Sequence, residues 1–545
     1  MEGLERTVGY APELNLYHFI TLGVAALALA YLQPLFSVPK DRREPPLLHS
    51  SIPVIGHLLH LIKHGSDYLL ELERHYHQSI YMLIIGKGRM YVVTSPEWAQ
   101  AIHKSHKSLR FNTIVCQAMK NVFLMDEPAM ELIEHNANGE DGTRSGILLE
   151  MHDMLGSVLA PSQDLDDMNR SILSEVLPAI NGLAKNGTQQ IQLWGWLRYR
   201  FSVASTTAIW GPKNPFLLYP DVEPAFWEFE AAVLPLSMAP LPCLLARKGY
   251  KARQRVFNAF EEYFENSSYK EPGTSQLVRN RVVINLERHG LSKKMHAFGE
   301  VSMVFAVIVN TVPVAFWLMS YIFADKDLLA EIRMEVDACI STPSADGSKR
   351  SINATKLRTS CPLLTSALRE TLRITASVNV NRQVHEDVTV TNSAGESYLL
   401  KKDSIVQIAS NVIHQKELWG SDADQFSPRR FMQGSEKQQS ESKIPDPAAP
   451  FRDAQGKVYS AAFRSFGGGN NVCPGRFFAQ TEISGLVALF VAGFEMEGAE
   501  TPGGYTSPPF ETFKSSLAVV KPRKDVDVKI RRRSGFENAE WAFEM

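Results

Sequence analysis

Net charge is almost absent: 57 Lys and Arg stand against 59 Asp and Glu over 545 residues, a formal balance of −2. That removes the electrostatic case for nucleic acid as a partner. Cysteine is scarce as well. The five (Cys116, Cys243, Cys339, Cys361, Cys473) are odd in number and scattered, which argues against a disulfide framework and for reduced thiols facing the cytosol. No Cys-x-x-Cys and no neighbouring Cys/His cluster could assemble the roughly four ligands of a zinc site. The chain also has no Gly-rich dinucleotide or flavin module, and no internal repeat. What it has in quantity is apolar side chains, 44% of the total, ample for a core.

Two apolar runs are long. Residues 16–36, LYHFITLGVAALALAYLQPLF, are interrupted only by His18, Thr21 and Gln33. Roughly 20 residues of helix cross the ~30 Å hydrocarbon core of a bilayer. Lys40, Arg42 and Arg43 follow the run, whereas Glu2, Glu5 and Glu13 precede it against Arg6. The positive-inside bias predicts a retained single-pass anchor with everything after residue 40 in the cytosol. A cleaved signal peptide would carry its basic flank on the other side and a small-residue cleavage site. The expected organisation is a short luminal N-terminus at 1–15, the transmembrane anchor at 16–36, a proline-rich hinge at 37–56 and one catalytic domain at 57–545.

The second run, VSMVFAVIVNTVPVAFWLMSYIF (301–323), carries Asn310, Thr311 and Pro313 in its middle. Polar groups there are expensive in lipid. A buried core helix is expected, kinked where Pro313 cannot donate to the Val309 carbonyl. Elsewhere, 79–95 reads as a hairpin around Gly86-Lys87-Gly88, Ser95-Pro96-Glu97 as a helix start, and 147–340 as mostly helical. The polar tract 434–450 reads as a surface loop. Residues 222–250, apolar, aromatic and proline-punctuated, read as a helix pair packed on the core or, by position in the family resemblance set out below, as a mobile lid.

The stretch FRSFGGGNNVCPGRFFAQTE (463–482) organises the rest. Cys473 follows a glycine-rich turn and precedes Pro474, which suits the first position of a helix. Cys473 is then expected at or next to the helix N-cap, where the dipole lowers a thiol pKa. Gly467, Gly468 and Gly469 would let the backbone approach something flat, and Phe466 and Phe477 would exclude water. A lone thiolate with open space opposite is what a haem iron takes as its proximal ligand.

The spacing Phe466-x-x-Gly469-x-Asn471-x-Cys473-Pro474-Gly475 resembles the haem-binding signature of the cytochrome P-450 family. Three further motifs follow the family's order: Asn310-Thr311 on the central helix, Glu370-x-x-Arg373 in ALRETLRI, and Phe426, Pro428, Arg430 and Phe431 in FSPRRF. The resemblance covers roughly residues 45–530, and the wording NTVPVAFW is similar to the sterol 7-alpha-hydroxylase and prostacyclin synthase branch. It implies a mainly α fold with smaller β-sheets (α+β) behind the N-terminal anchor. It also implies haem b on Cys473, with Phe466, Gly469, Gly475 and Arg382 against the cofactor. Thr311 and Asn310 would be catalytic, and Glu370, Arg373 and Arg430 a buried charge network.

The chain departs from the family in four places, the first being Val307 and Ile308 where small residues usually precede the central-helix pair. Asn310 stands where an acid usually precedes the threonine. Asn471 stands where a propionate-binding Arg or His is usual. No Trp-x-x-x-Arg lies in 147–180; Trp196 and Arg200 have that spacing but come late. His414 and Trp419 are expected as packing residues.

The resemblance therefore implies a monooxygenase of the endoplasmic reticulum membrane that puts one atom of O2 into a lipophilic substrate, sterol-like, terpenoid or another secondary metabolite. NADPH electrons would arrive through a separate flavoprotein reductase docked near Arg464 and Arg476, with cytochrome b5 as a second candidate donor. The rivals are a haem-thiolate isomerase or dehydratase working on a peroxide without a reductase, which Asn310 favours, and a non-catalytic haem or sterol-binding protein.

Overall fold

The computed structural model describes residues 39–52, 55–238, 241–342, 348–376, 379–432, 445–510 and 519–545. The apolar run 16–36 and most of the polar tract 434–450 lie outside them. Helices dominate, with five small sheets among the described residues.

The central helix, Lys293–Ala324, starts where Ser292 caps Met295 N and runs for 32 residues, about 48 Å at 1.5 Å per residue. It is the one helix among the described residues long and apolar enough to cross a bilayer, but 78% of its most apolar window is buried in protein. It is core, as its polar middle predicts. The helix continues through Pro313. Around it pack Leu193–Trp210, Arg247–Glu265, Pro362–Thr375 and Arg476–Gly493. A buried polar cluster locks the contact with Leu193–Trp210 and joins the central helix to residues 276–288. Glu300 pairs with Arg281 and accepts from Trp210 Nε1 at 3.0 Å, while His296 Nδ1 accepts from Asn285 Nδ2 at 3.0 Å.

The expected hairpin forms between Ile80–Ile85 and Gly88–Val93, with Ile85 opposite Gly88. Gly86 takes φ 62°, the positive φ that a two-residue turn of the II′ kind needs first. This hairpin opens a five-stranded mixed sheet continued by Ile405–Ala409, Asn379–Val384 and Leu109–Arg110. The proline-rich stretch runs along its edge, with Met82 N donating to Pro46 O at 2.8 Å and Leu48 N to Met82 O at 3.0 Å. Ser95 caps Pro96–Lys104 by accepting from Trp98 N, as the Ser-Pro-Glu start predicts. In 222–250 the helix Val222–Ala231 buries Val222, Phe226 and Phe229 against Arg247–Glu265, as a core-packed pair would. Beyond it Leu241, Leu244 and Leu245 stand exposed.

Glu370, Arg373 and Arg430 meet as expected, and all three are buried. Arg373 forks onto Glu370 with two bonds of 2.8 Å, and Arg430 Nε reaches Glu370 Oε1 at 3.0 Å. The remaining donors of Arg373 go to the backbone carbonyls of His414, Ala423 and Gln425, whereas Arg430 also pairs with the Asp422 carboxylate at 3.0 Å and donates to the Trp419 and Asp422 carbonyls. His414 does more than pack. Its Nε2 accepts the Arg464 N–H at 3.0 Å, which ties the network to the loop before Cys473. Burial, with Arg373 and Arg464 nearby, pushes its pKa down to about 3.

Two predictions follow from these contacts. Glu370→Ala removes the carboxylate that Arg373 pairs with, while Arg430 keeps Asp422, and should cost roughly 3–5 kcal/mol, read as a lowered denaturant midpoint together with lost haem content. Acidification should also destabilise the fold. His414 and His296, the latter held down to about 4 mainly by burial, are neutral when folded. The unfolded chain binds their protons first as pH drops below about 6.5. Each should remove about 2 kcal/mol by pH 5, so unfolding midpoints at pH 7 and pH 5 should differ accordingly, and less so in His414→Asn.

Candidate functional site

The loop leading to Cys473 is fastened at both ends. Arg464 N is held by His414, Ser465 Oγ donates to Leu372 O at 3.0 Å, and Cys473 N donates to Phe466 O at 2.8 Å. Gly467 and Gly469 take φ 76° and 64°, conformations that favour glycine. A side chain at Gly469 would meet His103 Nδ1 at 2.7 Å, and one at Gly468 would meet His103 Nε2 at 3.0 Å. These two glycines therefore make room for a histidine of the helix Pro96–Lys104. Gly469 sits behind the cavity wall, whereas Phe466, Gly467 and Gly475 line it.

The helix after Cys473 begins at Arg476 with Gly475 as its N-cap. Pro474 therefore precedes the helix instead of opening it, and Cys473 lies two residues before the cap. The expected dipole-lowered thiol is not what the structure supports: burial pushes the Cys473 pKa up, opposed by the Gly475 N–H and by Arg476. The side chain is deep in the protein yet keeps accessible surface, because it faces a cavity.

That cavity has a volume of about 420 Å³. Cys473, Gly475 and Phe466 form one part of its wall; Ala306, Val307, Asn310, Thr311 and Val314 of the central helix form another. Most of its lining is apolar. Thr311 Oγ1 donates back to Val307 O at 2.7 Å. Asn310 Oδ1 is buried with no hydrogen-bond partner.

Arg382 also lines the cavity, 3% exposed, over the Phe111 ring at 4.8 Å and donating to Asn471 Oδ1 at 3.3 Å. Burial pushes it down to about 10. Arg464, expected on a docking surface, is instead 1% exposed, with Nε and Nη2 unpartnered. Burial and Arg382 hold it down to about 9. Arg476 pairs with Asp446 at 2.8 Å, so neither arginine leaves a free surface charge for a redox partner. Between the two buried arginines His103 Nε2 is orphaned, its pKa pushed down to about 3 by burial and then by Arg464 and Arg382. Trp196 packs on Phe490 and Arg200 is exposed; neither lines the cavity.

A sequence model described as Cytochrome P-450 matches residues 231–529. A cytochrome P-450 monooxygenase of Gibberella zeae is 30% identical over 544 residues, covering 97% of each chain. The chain belongs to the cytochrome P-450 family. Cytochrome P-450 monooxygenase nodJ of Hypoxylon pulicicidum is 29% identical over 92% of each chain. Cholesterol 7-alpha-monooxygenase of Cricetulus griseus is 26% identical over 56% of this chain and 58% of its own, the branch the central-helix wording resembles. A crystal structure of a cytochrome P-450 heme domain shares the fold at TM-score 0.66 and 16% identity, covering 91% of this chain and 99% of that one.

Membership makes this P-450 an oxidoreductase of monooxygenase type whose haem is held by a cysteine thiolate. The residues present fit that group. Of the five cysteines, Cys473 alone lines the cavity. Arg382, Arg464 and His103 form a buried basic cluster with no carboxylate partner among the described residues, the arrangement that two propionates would complete. Sequence reading found Arg382 and missed the other two. Arg464 was visible beside the motif but misplaced to the surface, and nothing local marks His103. Arg464→Met keeps bulk and removes charge. Since a charge-assisted bond contributes about 1.5–3 kcal/mol, haem transfer to apomyoglobin should speed up about tenfold or more.

Proposed function

We propose that this P-450 is an anchored enzyme of the endoplasmic reticulum membrane, with Cys473 as the axial thiolate. It would insert one atom of O2 into a lipophilic substrate, sterol-like, terpenoid or another secondary metabolite. NADPH electrons would be relayed by a separate flavoprotein reductase, with cytochrome b5 as a second donor. The observation that carries this reading is a mostly apolar cavity bounded by one cysteine and by Thr311.

Haem, when bound, supplies the electron transfer and oxygen activation that no side chain can. The chain's own residues do the rest. Phe466, Val307 and Val314 keep water out and favour an apolar guest. Asn310 and Thr311 put an amide and a hydroxyl at the same wall. Lacking a dinucleotide module, the chain needs an external electron donor. Membrane attachment is supported by the run 16–36 and by Leu241, Leu244 and Leu245, 56%, 70% and 69% exposed. The basic residues Arg247, Lys248 and Lys251 that follow suit lipid headgroups. The 26%-identical cholesterol 7-alpha-monooxygenase favours a sterol-like guest.

The isomerase reading draws on Asn310. Purified enzyme with reductase, NADPH and ¹⁸O2 separates the two when given a lipid extract. The monooxygenase yields a product carrying one labelled oxygen only when NADPH is present; a product formed without NADPH or without label would mean the isomerase. Removal of residues 1–40 together with Leu244→Asp and Leu245→Asp should move the protein into the soluble fraction. Removal of 1–40 alone should leave part of it sedimenting with membranes.

A further inference from the structure

Away from the cavity, two thiols stand together. Cys339 follows the helix Lys326–Asp337, and Cys361 immediately precedes Pro362–Thr375. They are 22 positions apart in sequence, yet their sulfurs lie 3.5 Å from each other. Both residues are buried and unbridged, 3% and 1% exposed.

Glu335 brings them together. Its backbone carbonyl accepts from Cys339 Sγ at 3.5 Å and from Cys361 Sγ at 3.6 Å. Its carboxylate accepts from Leu363 N at 2.9 Å and Leu364 N at 3.0 Å, satisfying two open N–H groups at the start of the second helix. One residue therefore fixes the end of one helix against the beginning of another, with both sulfurs at the seam. The backbone of Cys339 is held separately: its N–H donates to Val336 O at 2.8 Å, and its carbonyl accepts from Asn353 N at 3.1 Å.

Buried cysteines ordinarily only pack. Here both sulfurs converge on one acceptor and touch. A disulfide has its sulfurs about 2.05 Å apart, so about 1.5 Å must close, a distance within the swing of two side chains. We propose that Cys339 and Cys361 are a reversible oxidation site, forming a disulfide with hydrogen peroxide that fastens the start of Pro362–Thr375 to the end of Lys326–Asp337. That helix carries Glu370 and Arg373 and puts Leu368 and Leu372 on the cavity wall, so the clamp acts on an element that supports the site.

One sulfur attacks peroxide as a thiolate, which the neighbouring S–H favours by donating to it. The O–O bond breaks, hydroxide leaves and a sulfenic acid forms. The second sulfur then displaces the sulfenic oxygen, which departs as water. In sum, two S–H bonds and one O–O bond break, one S–S bond and two waters form, and two electrons pass from sulfur to oxygen. An oxidant little larger than water suits sulfurs this deeply set. A dithiol reductant restores both thiols, as the transient disulfides of reducing compartments require.

The decisive test uses the full-length wild-type holoenzyme, treated with hydrogen peroxide and then alkylated in denaturant. Non-reducing peptide mass spectrometry should find a linked pair containing Cys339 and Cys361, two hydrogens lighter than the free peptides together and abolished by dithiothreitol. Recovery of both cysteines as alkylated thiols, or as separate sulfinic acids, would overturn the proposal. Closing a loop of this length should also raise the melting temperature of the oxidised protein by about 3 °C over the reduced one, with no such rise in Cys361→Ala. A linked pair without the rise, or an equal rise in Cys361→Ala, would overturn the fastening role.

Discussion

A sulfur anion in an apolar interior persists only while a cation faces it. Burial raises the Cys473 pKa against the opposing Gly475 N–H and Arg476, and haem iron, when bound, would supply positive charge at the sulfur. Metal coordination deprotonates a thiol outright. The rest of the structure serves that exchange. A loop of fixed shape presents the sulfur, and a dry cavity keeps water from competing for the open side. A basic cluster waits for the cofactor's acidic edge. The Glu370 network reaches the loop through His414 and Arg464, which makes a distant ion-pair cluster part of the sulfur's placement.

The protein buries basic and acidic side chains without pairing them with one another. Arg464 and His103 lie buried on the basic side, and Glu482 is fully buried with Oε1 unpartnered. An unpaired buried charge ordinarily neutralises itself or finds a counter-ion. Here the two solutions divide by location: the basic cluster calls for an anionic ligand, and burial shifts the acid towards its neutral form.

Much of the fold is legible in local chemistry. Gly86-Lys87 between two β-rich runs, Ser95 before Pro96, and an apolar run with a polar middle each report on the backbone within a few residues, and each is found where expected. Glu370, Arg373 and Arg430 were legible because their motifs recur in order. What escaped depends on contacts between distant segments. Arg464 looks like any arginine in a polar loop until His414, fifty residues earlier, pins its backbone inward. His103 matters because Gly468 and Gly469 leave space for it. Cys473 misses the helix dipole because the helix starts at Arg476, a two-residue difference that motif spacing does not resolve.

The central claim is that the sulfur of Cys473 binds iron. X-ray absorption at the iron edge of purified holoenzyme measures this directly, by the scattering of the atoms bonded to the metal. One sulfur scatterer in the wild type, replaced by light atoms alone in Cys473→Ser, is the expected result. A wild-type spectrum with only nitrogen and oxygen scatterers, or a sulfur that persists in Cys473→Ser, would contradict it.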